Sequence, residues 1–338
     1  MMSKYKYGTG LTAFAAVLVM GFTTASSAAD VVWRQATEQP AYSLEGRGHG
    51  KFSDLVGELS NGKMEMKVYP SEQLGKKGAV LDQLQAGTVH IYNTTATYMA
   101  KWEPALKYIS APFLYDDRAH WYRFMKTKLV KGWVANVEKK GGITLMGEYV
   151  AFPRGSWRVM VSKKKIGSLA DVQNIKLRMH KDQLAVDAWT HLGAEVRVLG
   201  WTEVYTSLGR GLVEAVNSPA AMVESMKFYE PAPNITSHRE YEQSVGYLTN
   251  LKAYNGLSAE LRDAVDAAHA GASYYEQGLL DADTMESIKR LQAKGVTYSD
   301  SMDTGPFREK MKSFYAERAK KGQLPKGFLE AVEKTRRR

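Results

Sequence analysis

What most limits the folds open to this chain is an alternation of strand-like and helix-like segments that runs along it twice. In the first pass Val31 to Arg34 reads as a short strand. Phe52, Leu55, Val56 and Leu59 then recur at i, i+3, i+4 and i+7, the spacing of one helix face, and Asn61-Gly62 ends that helix. Met64, Met66 and Val68 alternate with Glu65 and Lys67 as a strand does. Val80, Leu81 and Leu84 mark the next helix, and His90 to Tyr92 another strand. Such a βαβαβ run builds a sheet with helices on both faces, and ligands bind beyond the carboxyl ends of its strands.

A second series starts near Trp157, with strands over Trp157 to Val161 and Ile175 to Met179. A helix carrying Leu184, Ala188 and Leu192 follows, and then Val196 and Val198 alternate. Ser168 and Asp171 form a capping box, and Gly193 is placed to stop the Leu184 helix. Ser258 to Ala293 reads as mostly helical and long for one straight helix, with Gly271 and Gly278 as points where it kinks or divides. The 338-residue chain exceeds the roughly 100 to 200 residues of one typical domain, so two α/β lobes are expected.

The first residues set the compartment. Lys4 and Lys6 precede an apolar run from Leu11 to Phe22 that ends in Ala25, Ser26, Ser27, Ala28 and Ala29, the pattern of a secretory signal peptide over residues 1–29, cleaved before Asp30. The apolar run falls short of the roughly 20 residues of a spanning helix. With no Cys the chain has no thiol for a lipid anchor, no disulfide framework and no thiolate chemistry. The formal net charge of +10, two of which lie in the leader, favours anionic partners. Lys163 to Lys165 and Arg336 to Arg338 have no interleaved aromatics, so they read as solvated charge and no nucleic-acid partner is expected.

Enzyme signatures are missing: no H-E-x-x-H, no G-x-S-x-G and no Walker loop. G-R-G-H-G at Gly46, Gly48 and Gly50 has the wrong spacing for a dinucleotide turn and reads as a loop or helix N-terminus. No catalytic residue, metal site or cofactor is expected.

Several ordered segments are similar to one family. Tyr69-Pro70 with Gln73-Leu74-Gly75, Leu84 to Thr88 (L-Q-A-G-T) and Ala111 to Asp117 (A-P-F-L-Y-D-D) cover the first half. Ile166 to Met179 (I-G-S-L-A-D-V-Q-N-I-K-L-R-M), Trp201 to Glu214 (W-T-E-V-Y-T-S-L-G-R-G-L-V-E) and Lys227-Phe228-Tyr229-Glu230 cover the second. Together they resemble the solute-binding proteins of TRAP (tripartite ATP-independent periplasmic) transporters, of the dicarboxylate-binding DctP type. Ser168-Leu169 and Asn174 depart from the family's usual Pro and Gly.

The resemblance implies a two-lobed flytrap with crossing strands and a long C-terminal helix that spans the hinge. Residues 30–154 plus about 240–280 would form lobe I, and 155–239 plus about 281–338 lobe II. The protein would stay in the periplasm, capture a small organic anion such as a carboxylate, and hand it to the small and large TRAP membrane subunits. It also nominates site residues. Arg178 in K-L-R-M stands where the family pairs arginine with a substrate carboxylate, and Arg158 in S-W-R-V matches a second arginine. Ser218 falls on the family's contact Asn, with Asn217 beside it in place of a Glu. Trp201 takes the ligand-facing aromatic position; Tyr149, Phe152 and Trp157 lie near the crossover, and Thr94 and Thr95 follow a strand of lobe I.

Chemistry supports Arg178 independently, because guanidinium is a planar fork that holds a carboxylate through two parallel hydrogen bonds. For Arg158 a salt bridge to Glu148 or Glu214 is the competing role. Two other functions stay open at this stage: a periplasmic lyase or hydrolase on the same scaffold, and a binding protein that signals to a receptor.

Overall fold

A computed structural model describes residues 29–337; the leader up to Ala28, and Arg338 of the terminal basic run, lie outside the described residues. Eleven strands appear in chain order: β1 (Val31–Thr37), β2 (Met64–Tyr69), β3 (Ile91–Thr94), β4 (Ile143–Leu145), β5 (Arg158–Ser162), β6 (Lys176–Met179), β7 (Glu195–Val198), β8 (Ala215–Pro219), β9 (Asn234–Ser237), β10 (Gly246–Asn250) and β11 (Thr297–Ser299). They form a five-stranded sheet in the order β2-β1-β3-β10-β4 and a six-stranded sheet in the order β11-β9-β5-β8-β6-β7. β1 runs parallel to β2 and β3, and β6 parallel to β7 and β8, so the strand ends read from sequence converge on the cleft side. β5 is antiparallel to β8, which brings its first residue, Arg158, level with Pro219 at the far end of β8.

Two stretches of chain cross between the sheets and pair with each other. Pro153 bridges Ser244, Arg154 N–H donates to Gln243 O at 2.8 Å, and Val245 N–H donates to Phe152 O at 2.8 Å. The long helix Ala259–Ala293 is the third link. It is continuous, not divided at its glycines: Gly278 has open space around it, and at Gly271 a Cβ would come 2.9 Å from Leu55 Cδ1, so glycine there serves close packing. Leu261, Val265, Ala268 and Ala272 join the core of Phe52 and Val56. Leu280 and Leu291 join that of Val159 and Val216, so one rigid rod serves both lobes.

G-R-G-H-G lies inside the helix Leu44–Leu59, whose cap Ser43 accepts from Gly46 N–H. A Cβ at Gly46 would meet Pro40 O at 2.2 Å and one at Gly48 would meet Glu276 Oε2 at 2.2 Å; the run therefore permits close approach to the backbone. The C-terminal helix Phe328–Thr335 returns to the first sheet's side, where Phe328 packs on Tyr108, Phe124 and Trp133. Among the described residues no helix is long and apolar enough to cross a membrane.

Candidate functional site

Between the sheets lies a cavity of about 30 Å³ lined by Glu38, Lys77, Thr95, Tyr98, Arg154, Arg158, Arg178, His180, Trp201, Asn217, Pro219 and Gln243. That is room for roughly one or two waters, and it adjoins a cavity of about 260 Å³ that shares Lys77, Tyr98, Arg178, His180 and Trp201 with it. The lining comes from strand ends: Glu38 follows β1, Thr95 follows β3, and His180 follows β6.

Arg178, third in β6, is 3% exposed. Its Nε and Nη2 donate to Leu199 O at 3.1 and 2.7 Å, and its guanidinium stands over the Trp201 ring at 5.4 Å. These contacts fix the fork's orientation without neutralising it. No carboxylate lies within 4.0 Å of Arg178 among the described residues, and Nη1 has no protein acceptor there. Burial lowers the Arg178 pKa to about 10, which still leaves it charged at neutral pH.

Arg158, on β5, is paired. Its Nε donates to Glu240 Oε1 at 3.1 Å, Nη2 lies 3.0 Å from the same oxygen, and Nη1 donates to Gln243 Oε1 at 3.2 Å. The partner is neither of the acids expected from sequence: Glu148 pairs with Lys126 at 3.1 Å, and Glu214 accepts from Lys176 N–H at 3.2 Å. Glu240 lies 82 residues along the chain on a crossing segment, a distance no local pattern reveals. It also accepts from Trp189 Nε1 at 2.6 Å and Asn217 Nδ2 at 3.0 Å.

The structure brings Arg178, Arg158, Asn217, Trp201 and Thr95 of the sequence-derived set to one cavity. Ser218 does not line it. Neighbouring residues of a strand face opposite sides, so with Asn217 inward the Ser218 hydroxyl turns away and donates to Pro219 O at 2.9 Å. Thr94 stands behind the lining and donates to Glu38 Oε1 at 3.3 Å. Tyr149 holds its hydroxyl 3.1 Å from Thr95 Oγ1 and accepts from Ala96 N–H, which props the loop and leaves the ring in the core. Phe152 packs on Tyr247 and His269 at 4.5 and 5.0 Å, again core. Trp157 faces a separate cavity of about 440 Å³ with Arg239 stacked on it at 5.4 Å.

Sequence reading missed Glu38, Lys77, Tyr98, Arg154, His180 and Gln243. Glu38 and His180 each follow a strand's carboxyl end, so that rule alone would have nominated them. Glu38 is buried; desolvation raises its carboxyl, but Lys77 Nζ at 2.8 Å and Arg154 Nη2 at 3.5 Å outweigh that and hold it at about 2. Arg154, on the crossing strand, donates through Nε to Glu45 Oε1 at 3.0 Å. Lys77 donates to the Tyr98 hydroxyl at 2.7 Å. Burial holds His180 below its ordinary value, against the pull of Asp182 at 3.6 Å.

At the exposed mouth, polar contacts cross the lobes. Lys76 Nζ donates to Thr202 Oγ1 at 2.9 Å and lies 3.4 Å from Glu203, and Thr202 donates to Glu72 at 2.8 Å. Two sheets joined by crossing segments and one long helix, with a buried arginine between them, define a two-lobed binding protein.

Residues 35–321 match the family model of bacterial extracellular solute-binding proteins, family 7, and the chain belongs to that family, the DctP type that works with TRAP membrane subunits. It is 26% identical over 261 residues to the 2,3-diketo-L-gulonate-binding periplasmic protein YiaO of Escherichia coli, covering 77% of this chain and 78% of the relative. It is 23% identical over 257 residues to the C4-dicarboxylate-binding periplasmic protein DctP of Rhodobacter capsulatus, with 75% of each covered. Among solved structures, a TRAP periplasmic solute-binding protein from Roseobacter denitrificans with bound L-galactonate superposes with a TM-score of 0.79 at 25% identity, over 91% of this chain and 99% of that one. The chain is thus the solute-binding component of a TRAP transporter and captures a small organic anion.

Proposed function

We propose that the anion is an acid sugar or a related hydroxy acid, that its carboxylate is held by Arg178, and that the lobes close over it before delivery to the membrane subunits. One observation carries this reading: Arg178 is a buried, pre-oriented guanidinium in the interlobe cavity with no acidic partner among the described residues. A buried cation without a counter-ion is costly, and a bound carboxylate removes that cost. Two of the similar proteins agree in class, 2,3-diketo-L-gulonate and L-galactonate both being acid sugars, whereas the Rhodobacter capsulatus relative is named for C4-dicarboxylates. Trp201 forms a wall, Asn217 and Thr95 face the ligand, and Arg158 acts behind it as a paired support. Lobe I comprises 30–154 and about 240–280 and lobe II 155–239 and about 281–338, a division that agrees with the strands of each sheet; the C-terminal helix on the first sheet's side is its exception. Cleavage before Asp30 releases the protein to the periplasm.

Binding is the whole task in this reading. His180 has Asp182 beside it, but no Ser or Thr hydroxyl is hydrogen-bonded to it among the described residues, so a nucleophile–base pair is not supported. A thermal-shift screen against acid sugars, sulfonates and simple organic acids tests the proposal. A selective rise in melting temperature that disappears in Arg178→Ala is expected; a hit indifferent to that substitution would remove Arg178 from the site.

A further inference from the structure

Four cations line the interlobe cavity, Lys77, Arg154, Arg158 and Arg178. Three already stand beside a buried carboxylate. Lys77 Nζ is 2.8 Å from Glu38 Oε2, Arg154 Nε is 3.0 Å from Glu45 Oε1, and Arg158 Nη2 is 3.0 Å from Glu240 Oε1. Burial raises the Glu45 and Glu240 carboxyls, but each accepts a guanidinium hydrogen bond, which favours its charged form. His180 is the other basic group of the lining, and with its proton affinity lowered by burial it is neutral at physiological pH. Among the described residues Arg178 is therefore the one lining cation with no carboxylate in contact; Asp182, beside His180 at 3.6 Å, accepts instead from the Leu184 and Ala185 N–H groups that open its helix.

Two acceptors on lining residues can also take donors from a ligand. Asn217 Oδ1 has none, its amide nitrogen being spent on Glu240. Glu38 Oε2 has the Lys77 ammonium 2.8 Å away and, as a carboxylate oxygen, keeps a lone pair for a further donor. Buried acceptors without donors are rare and costly, so a ligand that closes here gains by bringing hydroxyl hydrogens.

We infer, on the reading that Arg178 takes the ligand carboxylate, that the cleft selects hydroxy acids bearing one negative charge and excludes dicarboxylates, with Glu38 as the discriminating residue. One carboxylate on Arg178 leaves every lining cation facing a carboxylate, and hydroxyl groups satisfy Glu38 and Asn217. A second carboxylate in this cavity would be buried beside ionised Glu38, with Lys77, Arg154 and Arg158 each already facing a carboxylate. An amino acid is disfavoured as well, because its ammonium would share the cavity with Lys77.

Isothermal titration of the purified protein with acids matched except at the far end tests this: galactonate against galactarate, erythronate against meso-tartrate, glycerate against tartronate. For at least one pair the monoacid should bind, and bind at least about tenfold tighter than its diacid. Glu38→Gln leaves Lys77 unpaired and should narrow that ratio about tenfold by strengthening the diacid; an unchanged ratio overturns the inference. Should Glu38→Gln not fold, Lys77→Gln carries the test: it removes one positive charge and should weaken the monoacid about tenfold, and an unchanged affinity overturns the inference. A diacid bound as tightly as its monoacid, with binding lost in Arg178→Ala, overturns this inference while the proposed function stands. Silence across all pairs overturns both.

Discussion

On the lobe I wall of the cleft Glu38 and Lys77 lie 2.8 Å apart and cancel, whereas on the lobe II wall Arg158 is paired with Glu240 and Arg178 with no acid at all among the described residues. Both arginines are buried, at 5% and 3% exposure, and both sit on strands of one sheet. The difference teaches that burial of a cation says little about its role until its partners are known. A paired cation is part of the frame, whereas an oriented but unpaired one keeps its charge available to an anion.

The largest expected effect falls on the frame. Arg158→Ala strands Glu240 in the core and should cost about 3 to 5 kcal/mol of stability in urea unfolding. If it instead weakens ligand binding while leaving stability intact, the contrast between the two arginines collapses. On the opposite wall Glu38 gives a pH test. Its folded pKa of about 2 lies below the ordinary 4.5, so its contribution is complete above about pH 4.5 and is lost as pH falls toward 2. That amounts to about 3 kcal/mol. The stability gap between wild type and Glu38→Gln should accordingly close between pH 6 and pH 2; a gap that persists at pH 2 would show that Glu38 matters for packing and not for its charge.

Next comes Arg178→Ala, expected to weaken the anion by about 2 to 3 kcal/mol, roughly 30- to 150-fold, in titration calorimetry. It should lower unliganded stability little or not at all, since no acid is left stranded, and a stability loss as large as that of Arg158→Ala would contradict the distinction. The smallest effect belongs to the mouth. Lys76→Ala removes exposed contacts to Thr202 and Glu203 and should change stability by less than about 1 kcal/mol, while speeding ligand release up to about fivefold in stopped flow. Release slowed by the substitution would mean that Lys76 holds the cleft open.

The two βαβ series, the helix Leu44–Leu59, the capping interactions of Asp171 and the stop at Gly193 were legible because each is written in local periodicity or in one or two residues. β8 and β10 were not, since both are buried along their whole length and show no alternation. The long helix was legible in extent but not in continuity: whether a helical glycine bends or packs depends on what stands opposite, and at Gly271 that is Leu55.

For the site, an arginine fork on β6 and an aromatic after the next strand could be read along the chain, because family motifs are runs of neighbours. Which arginine lacks an acidic partner among the described residues could not be read that way, because it depends on how distant segments meet. Glu240 reaches Arg158 from 82 residues away and Glu45 reaches Arg154 from 109, and pairing over such distances is set by how crossing segments fold back. The strand pleat likewise turns Asn217 toward the cavity and Ser218 away from it, since a single step along a strand exchanges the faces. Charge type is a property of residues, but charge balance is a property of the space they share.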